Sequence, residues 1–265
     1  MILMNPVIAK MCKSATDETQ QRKVIELFYN EMSHRVEDAI TQQKHMLLWG
    51  EPGSCKSSVV QQVLKQHPGV HVHKNKTTPL EFYILLWENR KPGNVLVLDD
   101  CDSWFTDQTC HSTLMSAVDT NAESTVHWND NSTRLRELGI EPCFKFEGTV
   151  IIITNKPMVE RSSSTKKEDM KINQILGGRM NPFCANLPDN DWNMLAIKMT
   201  HQAGGIQCFA EANSDAQEQQ EIIDFIEENK DDTKRLSFRT IAQVLKTKRA
   251  RGADWKFSAQ FDLMS

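Results

Sequence analysis

The feature that most constrains the fold is GEPGSCKSS, which begins at Gly50 and joins the apolar run MLLW of residues 46–49 to a helical pattern. A strand, a glycine-containing turn and a helix in that order form an anion site, because backbone N–H groups and the helix dipole favour negative charge. Gly50, Lys56 and Ser57 match the pattern G-x-x-x-x-G-K-[ST], but Cys55 replaces its last glycine. The sequence therefore predicts a phosphate-binding loop with one departure.

This interpretation assigns a role to each end of the loop. Lys56 reaches the terminal phosphates of a nucleotide, and the Ser57 hydroxyl ligates Mg²⁺. Cysteine is small and Gly53 keeps the loop flexible, so Cys55 is expected to lower the affinity without abolishing it. A thiol at a helix N-terminus is also a candidate for redox chemistry, although a tolerated small residue is the simpler interpretation. The predicted nucleotide-binding residues are Gly50, Glu51, Pro52, Gly53, Ser54, Cys55, Lys56, Ser57 and Ser58.

A second constraint is NVLVLDDCD, in which apolar residues end in Asp99 and Asp100. In phosphate-loop ATPases such a strand lies beside the loop strand, and its first aspartate holds magnesium. The next carboxylate can orient or deprotonate the attacking water. The sequence thus predicts Ser57 and Asp99 as metal ligands and Asp100 as a catalytic residue. Asp102 is a substitute for Asp100, but strand geometry places it further past the strand end.

Short apolar runs alternate with helix-length segments over the first two thirds of the chain. The predicted strands are residues 46–49, 70–73, 94–100 and 148–155, with a last short strand near 183–187. Helix-length connections between buried strands imply a parallel sheet with helices on both faces. The predicted fold class is therefore α/β, with a parallel P-loop sheet flanked by helices and followed by a small all-helical lid.

The lid prediction rests on residues 189–250, whose pattern indicates three helices, whereas an amphipathic pattern over residues 17–43 indicates one long helix before the first strand. The predicted division of the chain is an N-terminal helical segment (1–43), an α/β nucleotide-binding core (44–187) and a helical lid with a basic C-terminal tail (188–265).

Composition narrows the function classes. A net charge of −4 and a pI near 6.1 do not indicate a general nucleic-acid coat, although residues 211–232 are acidic and residues 234–256 are basic. Seven cysteines without a CxxC pair indicate free thiols in a reducing compartment. No apolar run reaches the length of about 20 residues that a membrane span needs, and the N-terminus lacks the pattern of a secretion signal. We therefore expect a cytoplasmic protein without a membrane partner.

Five elements in this order resemble the AAA+ ATPases, most of all the small ones that bacteriophages encode, over residues 40–250. They are GEPGSCKS, VLVLDDCD with a helix ending AVDT, GTVIIITN, GGR at 177–179 and LSFRT at 236–240. The resemblance implies ATP and Mg²⁺ as cofactors, and a homo-oligomeric ring, commonly a hexamer, with ATP between subunits. For a viral protein, the expected compartment is the host cytoplasm.

The resemblance also implies roles for individual residues. Asn155, after the GTVIIIT strand, would be the sensor 1 residue, and Arg239 of LSFRT would be the sensor 2 arginine. Arg179 would be the arginine finger, because the glycines of QILGGRM are expected to end a short helix and to leave this side chain projecting. Asp100 stands where the family usually has glutamate, which is one methylene longer, so either the attacking water sits closer or hydrolysis is slow. As alternatives, Asn155 ends a strand, Arg179 caps a helix and Arg239 is a surface residue.

The favoured function is an ATP-hydrolysing ring motor or switch that acts on DNA or on a DNA-bound protein complex. The stretch HKNKTTP stands where protein-threading rings often carry an aromatic loop, and its lysines suit phosphate contacts better. A predicted hairpin over residues 125–147 carries Arg134 and Arg136, which are further candidates for nucleic-acid contact. The candidates in the basic tail are Lys246, Lys248, Arg249 and Arg251.

Two other functions remain open from the sequence. A superfamily 3-type viral helicase also pairs a phosphate loop with an Asp-Asp strand and an Asn-tipped strand, although LSFRT in a helical lid favours AAA+. A nucleotide-dependent adaptor or regulator with little hydrolysis is the alternative that Cys55 and Asp100 support.

Overall fold

The computed structural model describes residues 4–119, 125–156 and 178–264. The fold is mixed α/β, and its internal contacts divide the chain into two compact units. The helical unit comprises Met1–Tyr29, Glu51–Cys55 and Asn186–Ser265. The sheet unit comprises Asn30–Gly50 and Lys56–Ala185.

Strands and helices alternate along the sheet unit in the predicted order. The strands are β1 (Met46–Trp49), β2 (His71–Lys74), β3 (Val95–Asp99), β4 (Thr125–His127), β5 (Cys143–Lys145), β6 (Thr149–Thr154) and β7 (Asn181–Cys184). The helices up to β6 are α1 (Pro6–Ser14), α2 (Glu18–Thr41), α3 (Lys56–Leu64), α4 (Pro79–Glu88), α5 (Ser103–Thr106), α6 (Gln108–Ala117) and α7 (Thr133–Glu137). The helices after β7 are α8 (Asn190–Gln202), α9 (Gln207–Glu211), α10 (Ala216–Glu228), α11 (Phe238–Arg251) and α12 (Trp255–Met264).

The main sheet has five strands in the order β2-β3-β6-β1-β7, and every neighbouring pair is parallel. All residues of β1, β3 and β6 are buried, as expected for strands with both faces covered. The prediction that the Asp99 strand lies directly beside the loop strand is wrong. The strand β6 lies between them, because it pairs with β1 on one side and with β3 on the other.

The segment between α6 and β6 forms a small antiparallel sheet. Strands β4 and β5 pair in the register Val126 to Phe144, and the short helix α7 lies between them in sequence. The Tyr83 ring of α4 lies 5.5 Å from the Trp128 ring and 5.1 Å from the Phe144 ring, and its hydroxyl donates to the Glu141 carbonyl over 2.8 Å. Aromatic packing therefore anchors the predicted hairpin to α4.

The helical unit contains more helices than the three predicted over residues 189–250. Helix α9 has five residues, which is too short for a helical period to show in the sequence. Helix α12 follows where only a basic tail was expected, and it buries Trp255, Ala259 and Leu263 at helical spacing. A common core joins α8 to α12 through side chains such as Ile197 and Ile241, both fully buried.

Opposite charges pair between α10 and α11. The Arg249 guanidinium lies 2.7 Å from the Glu218 carboxylate and donates to the Ala212 carbonyl over 2.8 Å, and Lys248 forms an ion pair with Glu221. The acidic and basic segments of the sequence are therefore partners within one unit. Two of the four basic-tail residues proposed for nucleic-acid contact are engaged in this way.

Within the described part of the chain, no helix combines the length and the hydrophobicity that crossing a bilayer requires. All seven cysteines carry free thiols, and Cys143 is the exposed one.

His45, just before β1, makes the stability of the sheet unit depend on pH. Its Nδ1 accepts the Val150 N–H over 3.1 Å at the start of β6, and burial lowers its pKa to about 4. An unfolded histidine titrates near 6.5, so the unfolded chain binds more protons between these two values and stability falls as the pH falls through this window.

When the pH falls from 7 to 5, the unfolding free energy of the wild-type protein should fall by about 2 kcal/mol more than that of His45→Asn. The asparagine amide offers an acceptor that does not titrate. Urea unfolding of both proteins at the two pH values measures the difference. Equal losses would show that His45 does not carry this dependence.

Candidate functional site

The parallel sheet brings three polar chain segments to one edge. Gly50 follows β1, Asp100 follows β3 and Asn155 follows β6, and the carboxyl ends of parallel strands meet at the same edge of a sheet. Two further backbone hydrogen bonds extend the pairing past the strands, from Gly50 N to the Thr154 carbonyl (3.3 Å) and from Asp100 N to the Ile153 carbonyl (3.2 Å). These backbone bonds therefore fix the positions of Gly50 and Asp100 relative to β6 at this edge of the sheet.

A chain of hydrogen bonds joins Lys56, Asn155 and Asp100. Lys56 is the first residue of α3 and only 5% exposed, and its Nζ donates to the Gly50 carbonyl over 2.8 Å and to Asn155 Oδ1 over 2.9 Å. On its other side, Asn155 Nδ2 donates to Asp100 Oδ1 over 3.0 Å. An ammonium demands the amide oxygen and a carboxylate demands the amide nitrogen, so the two charges fix the orientation of Asn155.

Ser57 and Asp99 form the second contact of the site. The Ser57 hydroxyl donates to Asp99 Oδ1 over 2.9 Å, and the Lys74 ammonium lies 3.8 Å from Asp99 Oδ2. Asp99 is 5% exposed. Neither the order of the motifs nor their spacing indicated Lys74, which reaches Asp99 because the two residues pair across β2 and β3.

The oxygen atoms of Ser57 and Asp99 suit magnesium. Mg²⁺ prefers oxygen ligands, keeps several waters and takes the rest of its shell from substrate phosphates, so it needs one or two protein ligands only. Among the described residues no group of three or more His, Cys, Asp or Glu side chains is arranged for a metal ion. Ser57 and Asp99 would supply two oxygen ligands to a magnesium ion that takes the rest of its shell from water and phosphate.

The middle of the predicted phosphate loop, residues 51–55, belongs to the helical unit. Glu51 donates its backbone N–H to Asn186 Oδ1 over 2.7 Å, and its carboxylate lies 2.5 Å from Arg235 Nε. Pro52 is exposed, and Ser54 N donates to the Glu51 carbonyl over 3.3 Å. No sequence pattern had indicated Asn186 or Arg235.

The backbone conformation of this segment bears on the residue types at positions 53 and 55. Gly53 has φ +81°, and a Cβ placed there would lie 2.5 Å from Ser237 Oγ, so only glycine fits. Cys55 has φ +62°, the left-handed region that favours glycine, and its sulfur shares a hydrogen bond with the Tyr29 hydroxyl. Burial, and to a smaller extent the neighbouring Cys55, raises the pKa of Tyr29 well above its usual range, so the phenol stays protonated.

Both departures from the expected pattern occur at strained backbone positions. Cys55, where the loop pattern has glycine, has φ +62°, and Asp100, where the resemblance implies glutamate, has φ +53°. A left-handed conformation costs a residue with a Cβ roughly 1–2 kcal/mol, somewhat less for aspartate. Such strain persists only where the surroundings enforce it, and it concentrates at functional sites.

The two predicted arginines lie in different places. Arg179 lies just before β7, where its Nη1 donates to the Met115 carbonyl over 3.4 Å and its Nη2 lies 3.8 Å from Asp119 Oδ2, so it contacts the end of α6. The helix expected before it lies outside the described residues. Arg239 is exposed in the first turn of α11, and its Cγ would lie 3.5 Å from a Cβ at Gly53.

The structure thus brings the predicted residues together in two groups. In the sheet unit these are Gly50, Lys56, Ser57, Asp99, Asp100 and Asn155, with Ser58 exposed on α3. In the helical unit Arg239 lies beside the middle of the loop. Arg179 contacts neither group through any hydrogen bond or ion pair described above.

Comparison with curated proteins finds similarity to a protein of Enterobacteria phage T4, described as an uncharacterized 36.7 kDa protein in the nrdC-mobD intergenic region. The two sequences are 39% identical over 80 residues, which is 30% of this chain and 24% of the phage protein. The aligned segment therefore spans about a quarter of the relative. No family model matches the chain.

Replacing Cys55 by glycine tests whether the cysteine merely occupies a glycine position. Cys55→Gly relieves the left-handed strain but loses the bond to Tyr29, so the unfolding free energy should change by less than about 1 kcal/mol. If the protein hydrolyses ATP, as the family resemblance implies, Cys55→Gly should keep or raise the rate under reducing conditions. A clear loss of activity in a protein with an unchanged melting temperature would show instead that the thiol is required.

Proposed function

We propose that this protein is an AAA+ P-loop ATPase that binds Mg-ATP and hydrolyses it slowly. The observation that carries the proposal is the convergence of Lys56, Ser57, Asp99, Asp100 and Asn155 through three hydrogen bonds. These residues come from three separate parts of the sequence, and the motifs that contain them predict a role in nucleotide chemistry for each.

Lys56 and the start of α3 supply the positive charge of the proposed site. The ammonium is held at the first residue of the helix, where the helix dipole adds partial positive charge. Its observed partners are a carbonyl and an amide oxygen, and phosphate oxygens would form stronger, charge-assisted bonds with it. Lys56 is thus placed to exchange Gly50 and Asn155 for a phosphate.

Asp100 and Asn155 supply the proposed water-activating pair. The Asp100 carboxylate accepts from the Asn155 amide, which holds it at the sheet edge where a general base is needed. Because Asn155 also contacts Lys56, its position depends on what Lys56 binds. The shorter side chain of Asp100 and its strained backbone support slow turnover. Ser57 and Asp99 would hold the magnesium ion, which would neutralise charge on the phosphates.

Two substitutions test the nucleotide site. Lys56→Ala should weaken ATP binding about tenfold or more, because a charge-assisted contact is lost, and Asp99→Ala should remove mainly the magnesium-dependent part of the affinity. Calorimetry with ATP, with and without Mg²⁺, measures both effects.

Lys65→Ala is the matched control, since this lysine is exposed just after α3 and should bind as wild type does. Circular dichroism establishes that each variant is folded, and Ser57→Ala provides a milder change at the metal position. Unchanged Mg-ATP affinity in folded Lys56→Ala and Asp99→Ala would show that the site has been assigned to the wrong residues.

We further propose that the protein works as a homo-oligomeric, hexamer-like ring in which Arg179 acts on ATP bound by a neighbouring subunit. Arg179 does not bond to Lys56, Asp99 or Asn155 of its own chain among the described contacts; it contacts Met115 and Asp119. A guanidinium from a neighbour stabilises charge in phosphoryl transfer and is worth about a thousandfold or more in rate.

Mixing two inactive variants tests this role. Arg179→Ala should bind ATP and barely hydrolyse it, and Lys56→Ala should also be inactive. Mixed together, they should regain part of the activity, because some interfaces then join an intact loop to an intact arginine. Normal hydrolysis by Arg179→Ala, or full activity in a strictly monomeric protein, would contradict the proposal.

The proposed target is DNA or a DNA-bound protein complex in the host cytoplasm. The phage relative supports a phage context, and Lys76 is exposed in the segment after β2, whereas Lys74, the last residue of β2, lies 3.8 Å from Asp99. Arg134 of α7 is held 3.1 Å from Glu81, which leaves a weaker case for this residue as a DNA contact. A superfamily 3-type helicase stays an alternative because it uses the same paired acids and Asn-tipped strand.

The second candidate function is a nucleotide-dependent adaptor with little hydrolysis. The left-handed, non-glycine backbone at Cys55 and Asp100 favours it, since both positions bear on turnover. ATPase assays with and without single-stranded DNA separate the two. DNA-stimulated turnover supports a motor, and binding without turnover supports an adaptor.

A further inference from the structure

Residues 51–55 are held from outside the loop at both of their ends. At the first end, Arg235 Nε lies 2.5 Å from the Glu51 carboxylate, and Arg235 Nη2 donates to the Leu187 carbonyl over 3.1 Å. The Asn186 side chain accepts the Glu51 N–H over 2.7 Å. We call the contacts of Arg235 with Glu51 and Leu187 the Arg235 clamp.

The backbone that carries Arg235 is itself fixed. The Asn190 side chain accepts the Leu236 N–H over 2.8 Å and donates to the carbonyls of Thr233 (2.6 Å) and Lys230 (2.8 Å). The Asn190 amide therefore holds the backbone on both sides of position 235. Hydrogen bonds thus hold the backbone next to Arg235, and the Arg235 side chain is only 20% exposed.

The loop needs such support because its own conformation is strained. Cys55 carries a side chain on left-handed backbone, with φ +62°, and within the segment Ser54 N donates to the Glu51 carbonyl over a long 3.3 Å. Strained backbone persists only where surrounding contacts enforce it. The clamp at Glu51 and the Tyr29 bond at Cys55 are contacts of that kind.

We propose that Arg235 is a positioning residue for nucleotide binding: through Glu51 it holds residues 51–55, the middle of the predicted phosphate loop, in their observed conformation. The proposal rests on the proposed function for the identity of the ligand, ATP. Arg235 bonds to loop and backbone groups, so its loss should weaken ATP binding and leave the rate of the bound complex nearly unchanged.

Alkylation of Cys55 reports the position of the loop without any nucleotide. Iodoacetamide labelling followed by peptide mass analysis gives a rate for each cysteine, and exposed Cys143 of the sheet unit is the internal reference. Arg235→Met and Glu51→Gln should each raise the Cys55 rate by about tenfold, because the segment opens more often. The Cys143 rate should stay constant.

The matched control is Arg22→Met. Arg22 also bridges a carboxylate and a neutral acceptor in the helical unit, with Nε 2.8 Å from Glu18 and Nη1 3.0 Å from Gln202. It should lower stability to a similar extent and leave the Cys55 rate unchanged. The exchanged pair Arg235→Glu with Glu51→Arg should return the Cys55 rate towards wild type, which a general loss of stability would not do.

ATP binding completes the test. In Arg235→Met, the Kd for ATP should rise about tenfold while kcat stays within about twofold. A wild-type Cys55 rate in Arg235→Met, or an equal rise in Arg22→Met, would overturn the clamp. A wild-type protein that binds no ATP would overturn the proposed function instead, and the alkylation rates would still decide whether Arg235 holds the loop.

Discussion

Strand β6 is the element on which the arrangement of the polar groups depends, because it hydrogen-bonds to β1 along one side and to β3 along the other. Its register sets Met46 against Ile151 and Asp99 against Ile153. The chain leaves β1 at Gly50, β3 at Asp100 and β6 at Asn155, so the relative positions of the strand ends decide which groups meet. The bridge from Lys56 through Asn155 to Asp100 follows from that pairing.

The sequence predicted the elements of the sheet unit well. Residues 46–49 and residues 95–98 stand out because they are short apolar runs between turn signals, and strands that are buried on both faces show this pattern. The order of the strands in the sheet was less accessible. Pairing depends on long-range packing, and nothing in NVLVLDD itself states that GTVIIITN separates it from MLLW.

The sequence did not predict the contacts that are made by residues outside any motif. Arg235 and Asn186 hold Glu51, but neither stands in a recognisable motif, and their role appears only when residues distant in sequence are adjacent in space. The exchange of glycine for Cys55 was visible in the sequence, whereas its left-handed φ and its bond to Tyr29 were not. Short helices such as α9 were not predicted, because five residues span less than two helical turns and show no clear hydrophobic period.

The Asn155 amide has a consequence for which side chains the position tolerates. Its oxygen faces an ammonium and its nitrogen faces a carboxylate at 3.0 Å, so the side chain must present two different atoms to two opposite charges. Aspartate has nearly the same shape but two oxygens, and one of them would face Asp100 at that distance. Two carboxylates so close cannot both stay ionised without a strong rise in the pKa of one. Chemical identity at this single atom, rather than size, therefore distinguishes a link between opposite charges from a repulsive pair.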